Sequence, residues 1–121
     1  MRLTGHKLRL SPTDLANHLG CAHLTAQNRA AAQGRLRRPK WHDPVGELLR
    51  ERGLAHERQY LERLAADGRL TIVAISQDES ADRTADTVAA MQSGADVIYQ
   101  APLGNEHWYG RADFLRKLPG V

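Results

Sequence analysis

The spacing of apolar residues divides the chain into helical stretches up to residue 66 and a mixture of strands and one helix beyond it. Ser11-Pro12-Thr13-Asp14 has the form of a helix start, with Ser as N-cap, Pro at the first helical position and an acid at N3 as in a capping box. The helix then runs through Leu15, Ala16 and Leu19 and is interrupted at Gly20, just before Cys21. An Ala-rich helix follows from Ala22 to Gln33, with Gly34 suited to C′. Asp43-Pro44 repeats the N-cap and N1 signal, and a long helix is expected from Val45 to Ala66, closed by Asp67-Gly68. Leu49, Gly53, His56, Tyr60 and Leu64 share one of its faces. Glycine inside a helix costs about 1 kcal/mol relative to alanine, so Gly53 is expected where another backbone comes close.

Beyond the long helix the pattern changes. Leu70 to Ile75 is a continuous run of strand length, rich in β-branched residues and expected to be covered on both faces. Asp78 to Ser80 reads as loop and cap, and a helix from Ala81 to Gln92 carries Val88 and Met91 before stopping at Ser93-Gly94. Asp96 to Leu103 reads as a strand, Gly104-Asn105-Glu106 as a turn, and residues 107–116 as a final strand forming an antiparallel hairpin with it. The class is therefore α/β, with N-terminal helices followed by a small mixed or antiparallel sheet. No internal repeat is visible.

At 121 residues the chain supports one modest core. Apolar and charged contents of 41% and 26% place it among soluble globular proteins. No apolar run approaches the ~18 residues of a membrane-spanning helix, and Met1 to His6 lacks the apolar segment of a secretory signal. A cytoplasmic protein with no membrane partner is expected. Cys21 is the only cysteine, which excludes an intramolecular disulfide and any metal site made solely of this chain's thiolates.

Charge sharpens the division. Residues 1–41 hold eight Lys or Arg against one acid, Asp14, whereas residues 42–121 hold nine against thirteen. A basic helical segment, 1–41, thus precedes a more acidic part, 42–121. Arg29, Arg35, Arg37, Arg38 and Lys40 attract polyanions, and Trp41 adds a ring that can stack on a base. The same run also serves as a solvated loop that confers solubility.

Two places carry candidate chemistry. Asp113 lies in the β-prone run Trp108 to Leu115 among Gly, Ala and apolar residues, so its carboxylate needs a distant partner if buried, and a solvated position otherwise. His56-Glu57 lies in the long helix. If that helix meets the sheet through its Gly53 face, the imidazole and the carboxylates converge, a start for a divalent-ion site with oxygen ligands suited to Mg²⁺ or Mn²⁺. The alternative is that His56 caps a core edge and Glu57 pairs with Arg50, Arg58 or Arg63.

The helix Gly53-Leu54-Ala55-His56-Glu57-Arg58-Gln59-Tyr60-Leu61, a strand at 96–101 and then Gly110-Arg111-Ala112-Asp113-Phe114-Leu115 together resemble the RecB-like branch of the PD-(D/E)XK nuclease superfamily. The order is most similar to an uncharacterised bacterial RecB-like nuclease group. The opening, Leu10-Ser11-Pro12-Thr13-Asp14-Leu15 and Cys21-Ala22-His23-Leu24, resembles the start of the same group, so the likeness covers residues 9–116.

The resemblance implies a restriction-endonuclease-like core and metal-dependent phosphodiester hydrolysis on DNA, with a helicase domain or subunit as a further partner. It implies His56 and Asp113 as metal ligands, Glu57 and Asp113 as catalytic carboxylates, and Mg²⁺ or Mn²⁺ as cofactor. The family's acid-x-Lys strand does not follow Asp113, since only Phe114 to Val121 remain. The expectation is a truncated core, inactive alone. Cys21 stands where some relatives hold the first ligand of a [4Fe-4S] cluster, implied only for a longer parent. Two alternatives remain: a non-catalytic nucleic-acid-binding module, and an interaction domain completed by another chain along the edge of strand 107–116.

Overall fold

A computed structural model describes residues 1–78 and 83–120. Its elements are β1 (Arg2–Thr4), β2 (Lys7–Arg9), α1 (Pro12–Gly20), α2 (Ala22–Ala32), α3 (Pro44–Ala66), β3 (Ile72–Ala74), α4 (Thr84–Gln92), β4 (Val97–Gly104) and β5 (Tyr109–Arg116). The class is α/β. The chain forms two compact units, one of residues 1–40 and 103–110, the other of residues 41–102 and 111–121.

In the first unit β1 and β2 form an antiparallel hairpin in which Leu3 faces Leu8. Its turn uses Gly5 at φ +60°, where a side chain would be strained. The sequence reading missed this pair because both strands are short and leave much of their surface in water. The capping box of α1 is present: Ser11 N–H and Oγ–H donate to Asp14 Oδ2 at 2.8 and 2.7 Å. The Met1 ammonium pairs with the same carboxylate oxygen. Burial pushes the Asp14 pKa up, but that ammonium and the Ser11 donors outweigh it and hold the carboxyl below its ordinary value.

Cys21 is extended, at φ −160°, and serves as C-cap of α1 and N-cap of α2, so the interruption is one residue wide and falls at Cys21 rather than at Gly20, which is still helical. Gly34, at φ +73°, ends α2, with Arg35 N–H donating to Ala30 O at 2.8 Å. Residues 103–110 join this unit through Leu10, whose N–H donates to His107 O at 2.8 Å and whose carbonyl accepts from Tyr109 N–H at 2.9 Å.

The second unit holds a three-stranded sheet in the order β3-β4-β5. β3 pairs in parallel with β4, Ile72 opposite Val97 and Ala74 opposite Tyr99. The connection 105–108 between β4 and β5 is far too short for a parallel crossover, so this pair is the expected antiparallel hairpin. Asp96 anchors the start of both parallel strands: its carboxylate accepts from Thr71 N–H at 2.8 Å. Its carbonyl accepts from Lys117 N–H at 2.9 Å.

The core consists of Ile75, Ala90, Ala95, Val97, Ile98 and Ala101. It is small because β3 covers only three residues and is itself half-buried, where the sequence implied a fully covered strand over 70–75. α4 is described from Thr84, so the cap expected at Ser80 and the helix start at Ala81 lie outside the described residues.

α3 begins on its Asp43 cap, which accepts from Gly46 N–H at 3.0 Å, and runs to the expected end before Gly68, at φ +64°. Its half-buried face beyond the first turn is Glu57, Tyr60, Leu61 and Leu64. Tyr60 meets Phe114 of β5 edge-on, with ring centroids 4.8 Å apart. The expected stripe thus shares Tyr60 and Leu64 with the real one but is turned away from it at Leu49, Gly53 and His56, which are exposed. A Cβ built on Gly53 meets nothing within 4 Å, so the close backbone approach expected there does not occur.

Candidate carboxylate site at Gln100

The site is organised by a backbone irregularity. Gln100 in β4 is the one non-glycine residue with positive φ among those described, at +56°. That region costs an L-residue of order 1–2 kcal/mol and persists only where surrounding contacts hold it. The ladder to β3 ends one residue earlier, at the Ile75 N–H to Tyr99 O bond of 3.1 Å, so the turn of the backbone breaks no parallel pairing. Pro102, which lacks an N–H, is tolerated in β4 for the same reason.

Successive side chains of a regular strand point to opposite faces. The left-handed backbone at Gln100 cancels that alternation, and Tyr99 and Gln100 reach the same atom. Tyr99 O–H donates to Glu57 Oε2 at 3.2 Å, and Gln100 Nε2 donates to the same oxygen at 2.9 Å. Gln100 Nε2 also makes a long contact of 3.5 Å to Asp113 Oδ1. Carboxylates from α3 and β5 therefore converge on one amide nitrogen supplied by β4. The Gln100 carbonyl accepts from Arg111 Nη1 at 3.2 Å, and the same nitrogen reaches Ser76 O at 3.4 Å.

Burial differs across the group. Gln100 is only 6% exposed, Glu57 is half-buried and Asp113 is exposed, so the pair is held from within and open on the Asp113 side. Burial raises the Tyr99 pKa, and the Glu57 carboxylate that accepts its hydrogen bond raises it further. Tyr99 therefore remains a hydrogen-bond donor through the neutral range. Its ring packs on Phe114 with centroids 5.1 Å apart, which fixes the hydroxyl against Glu57.

Hard divalent ions take carboxylate oxygens, and Glu57 and Asp113 offer two such groups, towards which Gln100 turns its amide nitrogen. The set fits Mg²⁺ or Mn²⁺ in kind. It is smaller than the expected one: among the described residues no three His, Cys, Asp or Glu side chains form a group that could hold a metal ion. His56, expected as a ligand, lies exposed on α3 beside the face that carries Glu57. One residue step around a helix is about 100°, enough to send neighbouring side chains to different surroundings.

The remaining sequence candidates lie elsewhere. Cys21 is a free, exposed thiol of the first unit. Arg29, Arg35, Arg37, Arg38 and Lys40 are exposed, and Trp41 is 76% exposed. Tyr99 and Gln100 were not singled out in the sequence. The available signal was a lone amide inside the otherwise apolar run Val97 to Ala101. Comparison of the chain with models of protein families, with curated proteins and with solved structures returned no match.

Proposed function

We propose that Glu57 and Asp113 hold a divalent cation, Mg²⁺ or Mn²⁺, and that the chain is part of a metal-dependent nuclease acting on DNA. The observation that carries this reading is the convergence of the two carboxylates on Gln100 Nε2, at 2.9 and 3.5 Å, from elements far apart in sequence. When bound, such an ion polarises a phosphodiester and lowers the pKa of an attacking water.

The chain's own residues act around it. Tyr99 O–H fixes one Glu57 oxygen and leaves the other free to ligate. Asp113, exposed on β5, leaves the site accessible to a phosphate from solvent. The sequence contains no acid-x-Lys pattern, so the proposal for these residues is cation and phosphate binding; hydrolysis needs a further acid and lysine.

Calorimetric titration of the full chain with Mn²⁺ tests this. Binding is expected in the wild type, weakened at least about tenfold by Asp113→Asn and by Glu57→Gln, since each removes a charged ligand. His56→Ala is expected to bind as the wild type does. A wild type that takes up no Mn²⁺ sinks the reading.

The exposed basic run at Arg35, Arg37, Arg38 and Lys40 with Trp41 favours a second reading, a nucleic-acid-binding module without catalysis. DNA affinity indifferent to Mn²⁺ and to Asp113→Asn would support it.

A further inference from the structure

We infer that the α-amino group of Met1 is a modification-sensitive member of the first unit: the folded unit withholds it from acyl donors, and a chain acylated there lacks the ion pair that closes the unit. The inference is independent of the proposed cation site. The Met1 side chain is only 2% exposed, so the first residue is anchored in the unit. Its ammonium pairs with Asp14 Oδ2 and donates to Tyr109 Oη at 3.4 Å. Three stretches of the unit therefore meet at one nitrogen: the residue leading into β1, the first turn of α1 and the segment 103–110. The Arg2 guanidinium, 4.2 Å from the centre of the Tyr109 ring, holds the next residue against the same segment.

Asp14 makes the charge of the amine matter. Its carboxylate is 9% exposed, and the Ser11 N–H and Oγ–H that donate to Oδ2 are neutral. Among the described residues the Met1 ammonium is the one cation bonded to it. A buried carboxylate that loses its counter-ion keeps the cost of leaving water without the attraction that offset it.

Acylation removes that counter-ion. The free-base nitrogen attacks the carbonyl carbon of an activated donor such as an acyl thioester, the C–S bond breaks, and the thiol leaves with the proton lost by the amine. The product is an amide with one N–H and no charge. Two consequences follow from the geometry. An ammonium paired with Asp14 has no lone pair with which to attack, so the folded unit is protected. An amide formed before folding places a neutral, bulkier group where Asp14 and Tyr109 converge, so any N-acyl group has to be removed by hydrolysis before the unit closes.

The experiment uses the full chain with a free and with an Nα-acetylated Met1, as wild type and as Asp14→Asn. Acetylation is expected to lower the thermal midpoint of the wild type by several degrees and to change that of Asp14→Asn little, because the pair is already broken there. A second measurement needs no variant. Wild type is exposed briefly to N-hydroxysuccinimidyl acetate at neutral pH, and labelling of the α-amine is compared with that of exposed Lys40 by peptide mass spectrometry. The ratio is expected to be at least about tenfold lower in the native chain than in urea.

An α-amine labelled as readily, relative to Lys40, in the native chain as in urea overturns the inference. So does an acetylated wild type that melts with the free one, or an acetylation loss of equal size in Asp14→Asn, which would assign the effect to bulk and not to the pair.

Discussion

Thr87 is 1% exposed, and its hydroxyl donates to Pro102 O at 2.7 Å, tying α4 to β4 just beyond the Gln100 irregularity. Thr87→Val keeps the shape and leaves that carbonyl without its donor, which costs about 1–3 kcal/mol. Urea denaturation is expected to show this loss for Thr87→Val and a smaller one for Thr87→Ser, which keeps the hydroxyl. Asp14 gives a pH dependence. Burial opposes its charge, but the Met1 ammonium and the Ser11 donors hold its pKa below the ordinary 3.8, so the unfolded chain binds the proton more readily than the folded one. Its contribution is present above about pH 4 and is lost as pH falls through the unfolded pKa towards the folded one. Thermal unfolding is expected to show a smaller acid-induced fall for Asp14→Asn than for the wild type between pH 5 and pH 2. These two side chains were legible unequally. Asp14 lay in a local capping pattern, whereas nothing local to Thr87 says that Pro102 will stand opposite.

On the scale of elements, α3 separates what a helix signals about itself from what it signals about its neighbours. Its start at Asp43-Pro44 and its end before Gly68 were readable, because caps are satisfied within a few residues. The face it turns to the sheet lies one residue step from the expected stripe, because a run of mixed apolar, small and aromatic residues does not specify which edge is buried. Gly53 shows the consequence. It lies in open space, so Gly53→Ala is expected to stabilise the protein by roughly 0.5–1 kcal/mol in urea denaturation. The reverse holds at Gly104, where a Cβ would lie 3.0 Å from the Trp108 carbonyl oxygen and 2.6 Å from an Arg9 guanidinium nitrogen. The guanidinium can swing aside but the backbone carbonyl cannot, and Gly104→Ala is expected to cost about 1–3 kcal/mol in the same measurement. β3 is shorter than its β-branched run implied, pairing with β4 only from Ile72 opposite Val97 to Ala74 opposite Tyr99.

For the whole molecule, charge is the property most evenly shared between sequence and structure. The basic residues expected to meet DNA are exposed, and among the described residues no helix is long and apolar enough to cross a membrane. If Arg37 and Arg38 each neutralise a phosphate, replacing both with Gln is expected to flatten the logarithmic salt dependence of duplex DNA binding by about 2, with little effect on sequence preference. An unchanged slope would remove both residues from the interface. By itself the sequence determined the α/β class, the N-caps of α1 and α3, the ends of α2 and α3, and the closing hairpin. Those features depend on short-range backbone sterics, local hydrogen bonds and charge. Only the tertiary structure decided that Glu57 and Asp113 share the Gln100 amide, that Tyr99 donates to Glu57 as well, and that residues 103–110 pack with the N-terminal unit. Each depends on how distant elements are rotated against one another. A single left-handed residue in β4, invisible to periodicity, decides which side chains share a face.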